Sequence, residues 1–170
     1  MHIRIIFGSN TGNTERAAKL LHDQLDAQGA AVDVRNVATA APEDFTGADA
    51  LILGISTWDD GVMQDDWQQF FPRLDEIDLS GKPVALFGLG DAFGFSGQFV
   101  NALRTLHDKV RERGAVIVGY TATDGYEFAS STAVEDGHFV GLVLDQENQE
   151  ELTPARVEAW AAQVRAAFAQ

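Results

Sequence analysis

Two periodicities alternate along this chain. Short apolar runs, each bounded by turn residues, read as strands: Ile3-Arg4-Ile5-Ile6-Phe7, Ala50 to Ile55, Val84 to Leu89 and Ala115 to Gly119. Ala31 to Val37 alternates through Val32 and Val34 and reads as a further strand. Between these runs the spacing changes to that of a helix. Residues 13 to 28 carry Ala17, Leu20, Leu21 and Leu25 on one face and end near Gly29. Asp65 to Leu74 predicts a short helix, and Ser80-Gly81-Lys82-Pro83 a turn. Gln98 to Arg113 predicts a helix presenting Phe99, Leu103, Leu106 and Val110, stopped by Gly114. A last helix starts at Thr153-Pro154, with Thr153 as its cap, and continues through Val157, Trp160, Val164 and Phe168.

Continuous apolar strands alternating with helices imply a parallel sheet covered on both faces. The expected fold is α/β: a doubly wound five-stranded parallel sheet in the order 2-1-3-4-5. Ligands in such sheets bind at the carboxyl ends of the strands, near the switch point. Residues 121 to 152 break the alternation, with turn residues, many acids and one apolar run from Phe139 to Leu144. They read as an insertion at the fifth strand, its body at about residues 121–145, after which the chain returns to the sheet edge. A single domain over residues 1–170 is the expected organisation.

Composition narrows the function classes. With 12 basic and 26 acidic residues the net charge is −14, which argues against a basic patch for nucleic acid or anionic membrane. Seven acids between Asp59 and Asp78 face only Arg73, which reads as a solvated face or a docking face for basic partners. The absence of cysteine excludes disulfides, thiolate metal sites, iron–sulfur clusters and cysteine nucleophiles. No apolar run approaches the ~20 residues that span a bilayer. The N-terminus runs directly into a strand, so no signal peptide is expected and a cytoplasmic location is. His2, His22, His107 and His138 are scattered and form no catalytic or metal pattern.

The loops at the carboxyl ends of the strands carry the candidate chemistry. Ser9-Asn10-Thr11-Gly12-Asn13-Thr14 joins the first strand to the first helix. Unpaired N–H groups and the helix dipole favour an anion there, and the hydroxyls and amides add donors. No Lys or Arg lies between Phe7 and Glu15, and the Gly-Lys-Ser/Thr ending of a nucleoside-triphosphate loop is missing. Such a cradle, made of dipoles, suits a terminal phosphate that is held and not transferred. The third strand runs into a loop from Ser56 to Met63, where polar Thr57, Asp59, Asp60 and Gly61 surround Trp58 and predict a half-exposed ring able to stack. The fourth runs into Gly90-Asp91-Ala92-Phe93-Gly94-Phe95-Ser96-Gly97, whose three glycines and two aromatics suggest backbone wrapped around something flat. Phe95 is expected on that ligand and Phe93 tucked beneath the loop. The three loops together describe a site for one phosphate attached to a planar heterocycle.

These residues resemble the flavodoxin family, specifically its long-chain type, over essentially the whole chain. Ser9 to Thr14 matches the Ser/Thr-x-Thr-Gly-x-Thr loop. Thr57, Trp58, Gly61, Gln64, Asp66 and Trp67 match Thr-Trp-x-x-Gly followed by Gln-x-Asp-Trp. Gly88, Gly90 and Asp91 match Gly-x-Gly-Asp. Asp124 to Tyr126, Val134 to Gly137, Phe139 to Leu142 and Leu144 to Gln149 match the long-chain extra loop. Three positions depart from the usual pattern: Phe95 where Tyr is usual, Val62 where Glu is frequent, and Ala92 where Gln is frequent.

The resemblance implies bound FMN, with its phosphate in the loop from Asn10 to Thr14 and Trp58 and Phe95 on the two flavin faces. The implied cofactor-binding set is Ser9, Asn10, Thr11, Gly12, Asn13, Thr14, Thr57, Trp58, Asp59, Asp60, Gly61, Leu89, Gly90, Asp91, Phe95, Gln98 and Glu147. It implies a low-potential one-electron carrier shuttling between semiquinone and hydroquinone, with no catalytic residues and no metal. The Asp59 carbonyl is expected to turn toward the flavin on one-electron reduction, with Gly61 easing the peptide rotation. Nearby acids are expected to disfavour the second electron. A charge pair at ~4 Å costs about 4 kcal/mol at an effective dielectric of about 20. Implied partners are basic faces of redox proteins, with ferredoxin/flavodoxin–NADP reductase as donor and the chain a monomer. The rival reading is an FMN-dependent NAD(P)H quinone reductase on the same fold, and rings over both flavin faces argue against it. A receiver domain of the same strand order would need an acidic pair after the first strand, where Ser9-Asn10 stands.

Overall fold

The structure is a computed structural model describing residues 1–170. In chain order the elements are β1 (His2–Phe7), α1 (Asn13–Ala27), β2 (Ala31–Asn36), α2 (Pro42–Thr46), β3 (Ala50–Trp58), β4 (Val62–Met63), α3 (Asp65–Phe70), β5 (Pro83–Leu89), α4 (Asn101–Glu112) and β6 (Val116–Val118). Then follow β7 (Thr121–Ala122), β8 (Val134–Glu135), β9 (His138–Phe139), β10 (Leu142–Leu144), α5 (Gln146–Gln149) and α6 (Thr153–Phe168). The main sheet runs β10-β5-β3-β1-β2, all parallel, with β6 also beside β5. This is the expected doubly wound order.

The fifth strand is made in two pieces. β6 pairs with the first half of β5 (Pro83↔Val116, Ala85↔Val118), and β10 with the second half (Phe87↔Leu142, Leu89↔Leu144). The insertion is therefore shorter than expected, because the apolar run at its end is sheet. Between the two pieces, β7, β9 and β8 form a small antiparallel sheet. It is anchored by rings: Phe128 lies 5.2 Å from Phe99, and Phe139 lies 5.2 Å from Tyr126 and 6.0 Å from Phe99.

Central strands are buried on both faces because successive side chains point to opposite sides. Ile3, Ile5, Ile52, Ala85 and Phe87 meet α1 and α6 through Leu21, Leu25, Val157 and Trp160. Ile6, Leu51, Leu53, Val84 and Leu86 meet α3, α4 and the insertion through Trp67, Leu103, Leu106 and Phe139. The large rings also close polar accounts, since Trp67 Nε1 donates to the Gly54 carbonyl at 2.7 Å and Trp160 Nε1 to the Gly119 carbonyl at 2.8 Å. On the β2 side, Arg4 forms a two-pronged pair with its register partner Asp33, at 2.7 and 2.9 Å.

Several local expectations change. β3 continues through Trp58 and folds back as a hairpin, Thr57↔Met63 and Trp58↔Val62, so most of the expected loop is paired strand. The helix expected from Gln98 starts at Asn101, because Val100 adopts a left-handed conformation (φ 50°) that ends the preceding turn. The helix from Asp65 becomes tighter 3₁₀ turns over Phe71–Glu76, where Pro72 cannot donate to an α-helical ladder. Thr153 does not cap the last helix: it is already helical, and its hydroxyl donates to the Gln146 side chain.

Two outcomes follow from this packing. A Cβ added at Gly54 would sit 2.1 Å from the fully buried Phe87 ring, so Gly54→Ala is expected to destabilise the fold by about 1–3 kcal/mol, read as a lower urea midpoint at unchanged slope. The chain has only two tyrosines. Burial pushes both Tyr120 and Tyr126 up to about 12, with the Glu135 carboxylate adding at Tyr120 and Asp145 at Tyr126. Tyr126 also donates to the Val143 carbonyl at 2.6 Å, which a phenolate cannot do. Folding thus favours the neutral phenols. Their contribution is complete below pH about 10 and is lost as pH rises toward about 12. Ultraviolet titration is expected to show tyrosinate near the ordinary value of 10.0 only in the urea-unfolded chain.

Candidate functional site

The carboxyl ends of β1, β3, β5 and β10 open onto one cleft of about 200 Å³, lined by the loop after β1, the Trp58 hairpin, the loop after β5 and the start of α5. Its floor is the Ser9–Thr14 loop. Gly12 caps α1 with φ 91°, a left-handed conformation open to glycine, and its carbonyl accepts the first helical hydrogen bond, from Arg16 N–H at 3.0 Å. The amides of Asn13, Thr14 and Glu15 precede that first bond and are the orphan donors of the helix start. Thr14 is 2% exposed yet lines the cleft. Ser9 Oγ accepts from Gly12 N–H at 3.0 Å, which shapes the loop and withdraws that amide from a ligand while leaving the hydroxyl proton free to donate. Arg16, outside the cleft lining, reaches back to donate to the Asn13 side chain and lies beside Gly12.

One buried amide fixes the floor to the next wall. Gln64 is fully buried; its Nε2 donates to Asn10 Oδ1 at 2.9 Å and to Asp66 Oδ2 at 2.8 Å, while its Oε1 accepts from Trp67 N–H at 3.1 Å. Asn10 thereby spends its carbonyl oxygen on Gln64 and keeps its NH2 as a donor.

The hairpin wall presents Ser56, Thr57 and Trp58. The Trp58 ring is half-buried, as expected, and its Nε1 donates to Ser56 Oγ at 2.9 Å. Thr57 Oγ1 accepts from Ala102 N–H at 3.0 Å, which ties the hairpin to the first turn of α4. Asp59 (φ 44°) and Gly61 (φ 90°) carry the reversal, with exposed Asp60 between them.

The facing wall holds Leu89, Gly90, Asp91 and Phe95, with Gln146 and Glu147 from α5. Phe95 is 39% exposed and lines the cleft. Phe93 is 88% exposed, which overturns the expectation that it tucks under the loop. The loop instead tightens around Asp91, whose Oδ1 accepts from Phe93 N–H at 3.1 Å and Gly94 N–H at 2.7 Å, turning the Phe93 side chain out. Burial pushes the Asp91 carboxyl up, but hydrogen bonds from Gly94, the Asn148 amide and Phe93 outweigh it and hold the group below its ordinary range.

Of the seventeen expected residues, Ser9, Asn10, Thr11, Asn13, Thr14, Thr57, Trp58, Leu89, Gly90, Asp91, Phe95 and Glu147 line this cleft. Gly12, Asp59, Asp60 and Gly61 shape its loops without lining it. Gln98 is not brought to the wall; it lies in the 3₁₀ turn Ser96–Gln98, its N–H on the Phe95 carbonyl at 3.1 Å. Sequence reasoning missed Ser56 and Gln146 as lining residues. Strand periodicity signalled Ser56, which lies two residues before Trp58 on the same face; nothing local signalled Gln146.

Residues 5–160 match the flavodoxin family model. Flavodoxin 1 of Salmonella typhimurium is 50% identical over 163 residues, covering 95% of this chain and 92% of that protein. The flavodoxin of Synechocystis sp. is 41% identical over 163 residues, covering 96% and 95%. The crystal structure of Fusobacterium nucleatum flavodoxin bound to flavin mononucleotide superposes with a TM-score of 0.92 at 34% identity, covering 98% of each chain. Matches of this extent, on a sheet of this order with these three loops at its carboxyl end, show that the chain belongs to the flavodoxin family.

Proposed function

We propose that the chain binds FMN non-covalently in this cleft and serves as a low-potential one-electron carrier between redox proteins. The observation that carries the reading is the convergence of an anion-ready helix start and two aromatic side chains, Trp58 and Phe95, on one cleft. The donor set fits the group. The amides of Asn13, Thr14 and Glu15 and the hydroxyls of Thr11 and Thr14 suit a phosphate, and the two rings suit a planar heterocycle. Family likeness supports the same ligand.

Bound FMN supplies the redox chemistry, accepting and releasing electrons one at a time. The residues set its terms. Trp58 is fixed by its bond to Ser56 and offers a flat apolar face. Phe95 offers a second face without a hydroxyl. Together they restrict water and substrate access, which suits an electron carrier better than a quinone reductase. The reversal at Asp59-Asp60-Gly61 places a backbone carbonyl at the hairpin tip. Asp91 and Glu147 on the cleft wall, with Asp59 and Asp60 at its rim, raise the cost of negative charge accumulating between them.

The finer reading is a single domain of the long-chain type, acting as a cytoplasmic monomer. It takes electrons from a ferredoxin/flavodoxin–NADP reductase and docks its acidic surface on basic faces. The net charge of −14 supports steered association with such partners, and no helix is long and apolar enough to cross a membrane.

A visible spectrum during stepwise anaerobic reduction tests the function. The purified protein is expected to be yellow, to release FMN on denaturation, and to pass through a blue one-electron-reduced stage. Direct two-electron bleaching, with turnover of NAD(P)H and quinone, would favour the reductase. A colourless chain that ignores added FMN would sink both.

A further inference from the structure

The loop carrying Phe95 is a wall with space on both sides. In front is the cleft. Behind lies a second cavity of about 760 Å³, bordered by Ala92, Phe93, Ser96, Tyr126, Phe128 and Asn148 among others. Apolar packing therefore contributes little support: Ala92 is buried, but Phe93 is almost wholly exposed.

Polar contacts hold the loop at its two ends. At the far end, Ser96 accepts from Ala129 N–H and Ser130 N–H, both at 3.0 Å, which joins it to the insertion. At the near end stand two carboxylates. Asp91 shapes the turn, as described above. Asp145 is 1% exposed; its Oδ2 accepts from Ala92 N–H at 3.1 Å and its Oδ1 from Asn148 N–H at 3.1 Å. No salt bridge reaches either carboxylate. One side chain bridges them: Asn148 Nδ2 donates to Asp91 Oδ1 at 2.8 Å and to Asp145 Oδ1 and Oδ2 at 3.0 and 2.9 Å.

We infer that Asn148 is a positioning residue for flavin binding: its amide clamps Asp91 to Asp145 and so holds the Phe95 loop at the distance the ligand requires. The inference rests on the FMN reading above. Asn148 lies outside the cleft lining and acts through Asp91 and the loop backbone. An amide suits the place because it donates to both carboxylates and brings no charge of its own to a cleft that takes up electrons. A carboxylate of the same shape would turn the bridge into a repulsion. A Lys at this position would cancel charge beside the flavin.

Asn148→Asp tests the clamp, because it preserves shape at an exposed position while replacing the donor with a charge that both carboxylates repel; Asn148→Ala removes the donor without adding charge. The full-length chain is loaded with FMN, and the dissociation constant is read from flavin fluorescence on dilution. Asn148→Asp is expected to weaken FMN at least about tenfold, and Asn148→Ala by less, with the apoprotein urea midpoint little changed. A cycle adding Asp91→Asn restores an amide–carboxylate pair between positions 91 and 148 with the roles exchanged, while the repulsion from Asp145 remains, so the recovery is partial. The double variant is expected to recover more affinity over Asn148→Asp than Asp91→Asn gains over wild type. The visible flavin band, shifted in Asn148→Asp, is expected to return with it. Unchanged affinity in Asn148→Asp, additive effects in the cycle, or a loss of affinity that merely tracks a fallen urea midpoint overturns the clamp while leaving the flavin reading intact. A wild-type chain that does not bind FMN overturns that reading and the clamp together.

Discussion

A carboxamide buried among apolar side chains must find partners for both its ends, and Gln64 finds them in two separate segments, the loop after β1 and the start of α3. Its oxygen caps α3 through Trp67 N–H, and its nitrogen holds Asn10 in the loop after β1. The backbone of Gly8 makes room for this contact: a Cβ there would fall 2.0 Å from the Gln64 oxygen. Trp67 in turn donates to Gly54, inside β3. One buried polar chain thus links the loop after β1, the strand β3 and the helix α3. Each link is costly to break, because the group left behind would stay buried without a partner. The cleft inherits its geometry from this requirement before any ligand arrives.

A second polar layer works on the opposite wall, by different means. Asp145 and Asp91 are satisfied by backbone amides and one side-chain amide, with no cation among their partners. Neutral donors let the wall keep its negative charge while remaining ordered. The two layers differ in charge. The floor loop is fixed by a buried uncharged amide, and the facing wall is kept acidic by contacts that bring no compensating charge.

The fold was largely legible from period alone. β1, β3 and β5 are continuous apolar runs because both their faces are covered, and α1 ended where Gly29 stands. The floor loop and Trp58 were legible because their chemistry is local. The rest depended on contacts distant in sequence. The two-residue β4 is too short to carry a period, and it exists because β3 overshoots the sheet and needs a partner. The late start of α4 depends on Val100 holding a conformation that β-branched residues rarely take. Phe93 looked like a ring to bury until Asp91 turned the backbone. Gln64 entered only as one letter of a motif, since its three partners lie in separate segments. The return of the chain to the sheet edge was expected, but which residues at the start of α5 face the cleft depends on packing that spacing does not encode, so Glu147 was named and Gln146 was not.

That return has a consequence for the sheet's margins. A parallel sheet ends in two strands with open rows of amides and carbonyls, and such rows invite pairing with other chains. Here one margin consists of two three-residue pieces with a folded excursion between them, and α5 begins directly after the second. The opposite margin, β2, carries Asp33 and Arg35, both engaged in ion pairs. Interrupting the last strand therefore breaks what would have been a continuous template for strand addition on that margin, and leaves the charged β2 as the one uninterrupted edge of the sheet.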